Sequence, residues 1–253
     1  MPDQKIAVVT GGSRGLGRAS AMHLAADGVD VILTYRRGRT EAEAVCAAIA
    51  QLGGTAVALP LDTGDVAGFD GFAEQLRRVL AERWGRDSFD YLVNNAGTSV
   101  TAPFAETTEK DFDELLNVHF KGVFFLTQTL LPILADAGAI VNVSTGLTRF
   151  VGPGQAAYAS MKGAIEVLTR YQAQELGKRG IRVNTIAPGP IGTDFAGGVM
   201  RDNEQVRAAL AGQAALGRVG EPDDVGRAIT ALLSGQNSWV TAQRLEVSGG
   251  TRL

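Results

Sequence analysis

The clearest indication of the fold is one stretch near the amino terminus: Ile6-Ala7-Val8-Val9-Thr10-Gly11-Gly12-Ser13-Arg14-Gly15-Leu16-Gly17. Its first four residues are apolar and mostly β-branched, which favours a buried strand. Glycine occupies four of the next eight positions, as in a tight turn. Apolar residues at helical spacing follow over residues 18–26. The stretch therefore predicts a strand, a glycine-rich turn and a helix in direct succession.

Six further β-branched runs alternate with helical patterns along the rest of the chain. The seven predicted strands cover residues 6–10, 31–35, 56–59, 91–94, 139–144, 182–186 and 244–247. Each run is apolar almost throughout, as expected for parallel strands covered on both faces. We predict an α/β fold, a doubly wound seven-stranded parallel sheet between helices, in a single domain over residues 1–253. Ligands should bind beyond the carboxyl ends of its strands.

Composition excludes several classes of function. A net charge of −3 argues against a nucleic-acid partner, and no apolar run reaches the roughly 20 residues of a membrane span. Only four polar or proline residues, Pro2, Asp3, Gln4 and Lys5, separate Met1 from the first apolar segment, so no signal peptide is expected and the protein should be cytoplasmic. Cys46 is the lone cysteine, which excludes a disulfide or a cysteine metal site, and we predict no bound metal.

The glycine turn suggests a dinucleotide site. Free N–H groups at the start of the following helix could hold a pyrophosphate, and Gly11, Gly15 and Gly17 would let the backbone approach it. The second strand ends at Tyr35-Arg36 without the carboxylate that would grip a ribose. Arg36, with Arg14 from the turn, suits a 2′-phosphate, so we predict NADP(H) rather than NAD. The alternative is that the arginines at 36, 37 and 39 only solvate a loop.

Further motifs follow the later strands in order. They are Asn94-Asn95-Ala96-Gly97 after the fourth strand, Tyr158-x-x-x-Lys162 on a helix, and Pro188-Gly189 after the sixth strand. With the glycine turn, this set resembles the short-chain dehydrogenase/reductase family over nearly the whole chain, in particular its 3-oxoacyl-carrier-protein reductases. The resemblance implies a Rossmann fold and further cofactor contacts. It implies that Asp62 and Thr63 contact the adenine end of the cofactor, and that Asn95, Ala96 and Gly97 lie beside the cofactor at the centre of the sheet. The residues expected at the nicotinamide end are Pro188, Gly189, Ile191 and Thr193.

Tyr158 and Lys162 form the predicted catalytic pair. Reduction of a ketone needs a hydride on carbon and a proton on oxygen, and an ordinary tyrosine with a pKa of about 10 exchanges protons poorly at neutral pH. Residues four apart share one helix face, so the charge of Lys162 is expected to lower the pKa of Tyr158. The resemblance also implies that Lys162 holds the nicotinamide ribose.

Two positions depart from the family pattern. The family's usual serine, which hydrogen-bonds the substrate carbonyl, aligns with Thr145, and Ser144 lies one residue earlier. Successive strand residues point to opposite faces, so at most one hydroxyl should face the carbonyl, and Thr145 is our first choice. His119 stands where the family has an asparagine that supports a proton path behind the lysine. A packed core histidine is the alternative for His119.

The substrate is a small carbonyl compound, which could be a ketone, a 3-oxoacyl group or a quinone-like molecule. A lid is expected over residues 191–216, and Arg149 hints at an anionic substrate group. The fourth predicted helix carries more apolar residues than one buried stripe requires, and by resemblance this helix and the next build a homotetramer. Two alternatives stay open: an NAD-dependent alcohol or polyol dehydrogenase, and a catalytically impaired NADP-binding regulatory protein.

Overall fold

A seven-stranded parallel sheet forms the centre of the computed structural model, which describes residues 4–253. The order of its strands is β3-β2-β1-β4-β5-β6-β7. The direction of winding reverses between β1 and β4, which creates the crevice where ligands bind in doubly wound folds. The strands are β1 Ile6–Val9, β2 Asp30–Tyr35, β3 Ala56–Pro60, β4 Phe89–Asn94, β5 Leu134–Val143, β6 Arg182–Pro188 and β7 Arg244–Val247.

Nine α-helices accompany the sheet within residues 4–253. They are α1 Gly15–Ala26, α2 Arg39–Gln51, α3 Phe69–Trp84, α4 Glu109–Leu116, α5 Gly122–Leu130, α6 Ala156–Leu176, α7 Val199–Asp202, α8 Glu204–Ala211 and α9 Pro222–Leu233. Helices α1, α2 and α9 cover one face of the sheet, and α3, α5 and α6 cover the other. None of these helices is both long enough and apolar enough to cross a membrane.

The first strand shows why the sheet is buried on both sides. Ile6 and Val8 pack into the cluster under α3, α5 and α6, whereas Ala7 and Val9 pack into the cluster under α1, α2 and α9. All four are fully buried. This confirms the predicted doubly wound α/β fold. The edge strands β3 and β7 are only partly buried, because each has a neighbouring strand on one side alone.

Two elements differ from their predictions. Strand β5 begins at Leu134, five residues early, because its first residues pair with β4 across an irregular register near Phe89. The helix expected to run unbroken through Leu131 is interrupted by a π turn, Asn117–Lys121, between α4 and α5. A π turn inserts one extra residue into the helical ladder, and this one contains His119.

Candidate functional site

The glycine turn lies at the carboxyl end of β1, beside the crevice. Helix α1 begins at Gly15 after Arg14, which makes no side-chain cap, and no acidic residue occupies the first turn. Its leading N–H groups can therefore bind an anion. A side-chain carbon on Gly17 would lie 2.2 Å from the Gly11 carbonyl oxygen, so the turn closes on the helix only with glycine there. This cradle fits a pyrophosphate.

Asn95 joins the turns that follow β1 and β4. Its Nδ2 donates to the Thr10 carbonyl at 2.8 Å. The Thr10 hydroxyl in turn accepts the backbone N–H groups of Asn95 at 2.9 Å and Ala96 at 3.0 Å. Thr10 is not among the predicted site residues, although a threonine at the end of a strand before a glycine turn is a usable signal. The three residues fix the floor of the crevice.

Arg36 lies at the edge of the crevice. Arg36 follows β2, is about half exposed, and places Nη1 3.9 Å from Asp62 Oδ2. A cavity of about 320 Å³ lies between them and reaches Phe72 of α3. Ser13 lies close to Gly38 in the loop after β2, while Arg39 is engaged by Glu43 at 2.8 Å. Arg14 and Arg36 are both exposed and available to an anion.

The segment after β6 returns to the glycine turn. Gly189 donates its N–H to the Val247 carbonyl at 3.0 Å, which ties the segment to β7. Ile191 is buried and bridges to Gly220, and Thr193 lies next to Gly15. Asp62, Thr63, Asn95, Ala96, Gly97, Pro188, Gly189, Ile191 and Thr193 thus all lie at the carboxyl edge of the sheet, or in the segments directly after it.

Tyr158 and Lys162 are both buried in the first two turns of α6. Tyr158 is 8% exposed and Lys162 is 5% exposed. Lys162 Nζ donates to the Val143 carbonyl at 2.7 Å and lies 5.8 Å from the centre of the Tyr158 ring. An ammonium has three donors, so two N–H groups of Lys162 remain for other partners.

Burial sets the protonation of this pair. It raises the pKa of the Tyr158 phenol above its ordinary range, against the opposing effect of a hydrogen bond from the Thr145 hydroxyl. It lowers the pKa of Lys162 to about 7. The sequence predicts that Lys162 lowers the pKa of Tyr158. In the structure the pKa of Tyr158 is raised instead, because burial in a low-dielectric site disfavours charge on both groups.

The two neighbouring hydroxyls after β5 have separate surroundings. Ser144 is buried and its hydroxyl donates to Glu166 Oε1 at 2.7 Å. Of the two, only the Thr145 hydroxyl lies close enough to the Tyr158 phenol to influence its pKa. The structure therefore brings Thr145, and not Ser144, to the tyrosine. Glu166 is not among the predicted site residues, and no local motif marks it.

His119 packs edge-on against Tyr158, with 5.1 Å between ring centres and 87° between ring planes. It is 1% exposed, and its Nε2 lies 2.7 Å from the Thr98 carbonyl oxygen and 3.3 Å from the Thr98 backbone nitrogen. We assign the proton to Nε2 because the contact with the carbonyl oxygen is the shorter one. Nδ1 is then a buried acceptor, and it has no partner among residues 4–253. Burial and the charge of Lys162 hold the pKa of His119 well below its ordinary value.

Arg149 and the predicted lid segment lie on the substrate side of the site. Arg149 is held by a two-pronged ion pair with Glu246 and by the Arg252 carbonyl, so it is scaffold and not a free anion ligand. Phe195, in the predicted lid segment, lies over Tyr158 with ring centres 5.9 Å apart. Apolar side chains complete the surroundings of Tyr158: Val100, Leu115, Leu116, Phe120, Leu147, Ala157 and Met161.

Comparison with known proteins identifies relatives that match nearly the whole chain. A family model described as Enoyl-(Acyl carrier protein) reductase matches residues 11–252. An uncharacterised oxidoreductase from Methylorubrum extorquens is 36% identical over 98% of both chains. The structure of LugOII, a promiscuous reductase that catalyses keto-reduction at C1 in lugdunomycin biosynthesis, has 35% identity and a TM-score of 0.94, with 98% of both chains covered.

A second solved structure, the angucycline C-6 ketoreductase LanV with bound NADP, is 37% identical with a TM-score of 0.93, and the match covers 98% of this chain and 95% of that one. Such identities over almost the full length, together with the matched family model, exceed what a shared fold alone would require. The chain belongs to the short-chain dehydrogenase/reductase family.

Proposed function

We propose that this protein is an NADP(H)-dependent reductase that converts a carbonyl group to an alcohol. The observation that carries the proposal is the meeting of two hydroxyl donors, Tyr158 and Thr145, in a buried apolar site at the carboxyl edge of the sheet. A substrate oxygen placed there would receive two hydrogen bonds. LugOII and LanV, which share this fold at over a third identity, are ketoreductases.

The cofactor would be held along the crevice. When bound, NADPH supplies the hydride that is added to the carbonyl carbon. The helix start at Gly15 would take the pyrophosphate, and Arg14 and Arg36 would take the 2′-phosphate, since both guanidiniums are exposed at that edge. LanV, which binds NADP, supports the same cofactor here. The remaining parts of the cofactor would be contacted by Ser13, Leu16, Tyr35, Asp62, Thr63, Asn95, Ala96, Gly97, Pro188, Gly189, Ile191 and Thr193.

Tyr158 would donate the proton to the substrate oxygen. Its raised pKa keeps the phenol protonated across the physiological range, which is the form an acid must have before it reacts. Thr145 would donate the second hydrogen bond. The two unused N–H groups of Lys162 would bind the nicotinamide ribose and keep it beside the tyrosine.

His119 would belong to the proton route behind Lys162. Its neutral ring leaves Nδ1 as a buried acceptor beside Tyr158, where it can receive a hydrogen bond from a water molecule. The lining of the site is apolar, and Arg149 is already paired, so the proposed substrate is an apolar ketone without an anionic anchor at that point. Residues 191–216 would close over it as a lid, with Phe195 above the tyrosine.

The decisive experiment measures NADPH oxidation with a panel of small and polycyclic ketones. We expect turnover in the wild type and its loss, by about 100-fold or more, in Tyr158→Phe, because only the acid is removed. Tyr171→Phe is the matched control, since Tyr171 lies on the same helix but is 64% exposed. Activity that survives in Tyr158→Phe would refute the assignment of the acid. Tight NADPH binding without turnover of any ketone would instead favour the regulatory alternative.

Cofactor choice is tested separately by titrating NADPH and NADH into wild type and Arg36→Ala. The variant should bind NADPH about tenfold or more weakly, since a charge-assisted hydrogen bond is lost, while NADH binding stays the same. Arg39→Ala is the matched control, because Arg39 is already paired with Glu43. Equal weakening for both nucleotides, or a wild-type preference for NADH, would favour the NAD-dependent dehydrogenase.

A further inference from the structure

Thr145 is held from behind by an ionic brace that runs from α6 to β7. We propose that two residues of this brace, Glu166 and Arg244, are positioning residues for the reaction. They fix the backbone of Thr145 so that its hydroxyl faces Tyr158. The role rests on the proposed function, since it acts on the hydrogen bond that Thr145 gives to the substrate.

Glu166 gathers three donors on one carboxylate oxygen. Its Oε1 lies 2.7 Å from the Ser144 hydroxyl, 2.7 Å from the Thr148 hydroxyl and 2.8 Å from Arg244 Nε. The side chain is 15% exposed, so these hydrogen bonds form in a mostly dry site, where charge-assisted bonds are strong. Glu166 follows Tyr158 by eight residues, about two helical turns along α6. The helix of the tyrosine is thereby tied to both sides of Thr145.

Arg244, the first residue of β7, completes the brace from the opposite side. Its Nη2 donates to the Thr145 carbonyl at 3.3 Å and to the Thr148 hydroxyl at 3.1 Å, and its Nη1 reaches Glu246 at 3.0 Å. The Thr148 hydroxyl also lies 3.0 Å from the Thr145 carbonyl. The guanidinium of Arg244 therefore contacts a carbonyl, a hydroxyl and two carboxylates.

The brace matters because Tyr158 and Thr145 belong to different elements. Both hydroxyls must reach one substrate oxygen, so the distance between α6 and the segment after β5 decides whether they act together. Ser144 has a part in this as well. Its hydroxyl serves Glu166 and not the substrate, which explains why two adjacent hydroxyl residues stand at this point of the chain.

The test compares Arg244→Lys and Glu166→Gln with the wild type. We expect kcat for a productive ketone to fall between about 10-fold and about 100-fold, as a misplaced donor would cause, with NADPH affinity unchanged. Combining either change with Thr145→Val should cost no more than Thr145→Val alone, because the brace acts through that hydroxyl. Additive losses would overturn the proposal.

A second measurement does not depend on turnover. Hydrogen exchange of the backbone over residues 144–150 should be faster in both variants than in the wild type, while exchange over β1 stays the same. Asp136→Asn is the matched control, since it removes an exposed ion pair with Arg179 at the other end of the sheet. Unchanged exchange over residues 144–150 would refute the brace even if the wild type reduces ketones. If both variants exchange faster over residues 144–150 but the wild type turns over no ketone, only the proposed function is refuted.

Discussion

At the scale of single residues, the hydroxyls of two consecutive residues, Ser144 and Thr145, lie in different environments. Ser144 turns toward the carboxylate of Glu166, while Thr145 meets the phenol of Tyr158. Alternation along an extended backbone separates the two side chains, and partners from α6 then define what each can do. The carboxylate accepts the hydrogen bond of the Ser144 hydroxyl, and the proposed contact with substrate is therefore assigned to Thr145.

Removal of the Thr145 hydroxyl should therefore affect turnover, whereas removal of the Ser144 hydroxyl should affect stability. Thr145→Val should reduce kcat roughly 100-fold or more, as loss of a donor at a developing oxyanion does, whereas Thr145→Ser should keep most turnover. Ser144→Ala should instead lower the free energy of unfolding by about 1–3 kcal/mol, because a buried carboxylate loses a donor. Ketone-dependent NADPH oxidation and urea unfolding measure the two effects. A larger kcat loss in Ser144→Ala than in Thr145→Val would reverse the assignment.

Lys162 should also make stability depend on pH. Its pKa is about 7 in the folded protein and 10.5 in the ordinary state, so between these values the unfolded chain binds more protons. The free energy of unfolding therefore rises with pH across this window, by at most about 1.4 kcal/mol per pH unit for one group. Lys162→Met should lack the rise.

Urea unfolding of both proteins without added cofactor, between about pH 7 and about pH 9.5, checks this expectation. Tyr158 does not interfere, because its raised pKa matters only above its ordinary value of 10.0, where the unfolded phenol begins to ionise first. Parallel stability curves for wild type and Lys162→Met would show that Lys162 keeps an ordinary pKa in the folded state.

At the scale of elements, the π turn between α4 and α5 gives the site its histidine. It places His119 edge-on against Tyr158, with Nε2 tied to the loop after β4 through Thr98. Extra residues of this kind in helices are frequent at functional sites. The helix thus contributes one ring to the reactive tyrosine while its other residues pack against α6.

His119 is expected to stay neutral across the range in which most histidines titrate. Burial, followed by the charge of Lys162, lowers its pKa well below 6.5, and the Thr98 carbonyl fixes the proton on Nε2. Nitrogen NMR spectra between about pH 5 and about pH 8 should show one unchanging Nε2–H tautomer. Loss of these resonances in His119→Gln assigns them. A titration near the ordinary pKa would contradict the buried, neutral ring.

At the scale of the whole molecule, five of the exposed large apolar side chains lie on α4, α5 and α6. The most exposed of them is Tyr171, and the set comprises Phe112, Phe124, Phe125, Val167 and Tyr171, each 37–64% exposed. Apolar surface on adjacent helices favours contact with another protein surface. The expectation, drawn from the family resemblance, that four copies of the chain associate through these helices stays a prediction.

Sedimentation equilibrium should therefore give the mass of a tetramer for the wild type. Phe125→Glu combined with Tyr171→Glu should reduce that mass, because each introduced charge would have to be desolvated in the interface. Leu52→Glu is the matched control, since Leu52 is 54% exposed but lies at the end of α2. A wild-type mass of one chain, 26.5 kDa, would contradict the expectation.

The sequence alone was sufficient to predict the order of strands and helices, the glycine turn at the switch point, and the two motifs at the ends of β4 and β6. These features follow from local patterns, since β-branched runs, glycines and helical spacing each act over a few residues. The same locality explains its errors. Neither the early start of β5 nor the π turn around His119 has a local signature in the chain.

Three features needed the folded structure: the hydroxyl that lies near Tyr158, the protonation of the Tyr158–Lys162 pair, and the partner of Arg149. Each feature depends on groups far apart in the chain: Arg244 reaches Glu166 across 78 positions, and Arg149 reaches Glu246 across 97. Protonation likewise depends on burial by several elements at once, which no spacing of residues records. Motifs locate the chemistry along the strands, but the dielectric and the long-range partners that tune it arise only when the sheet and helices pack.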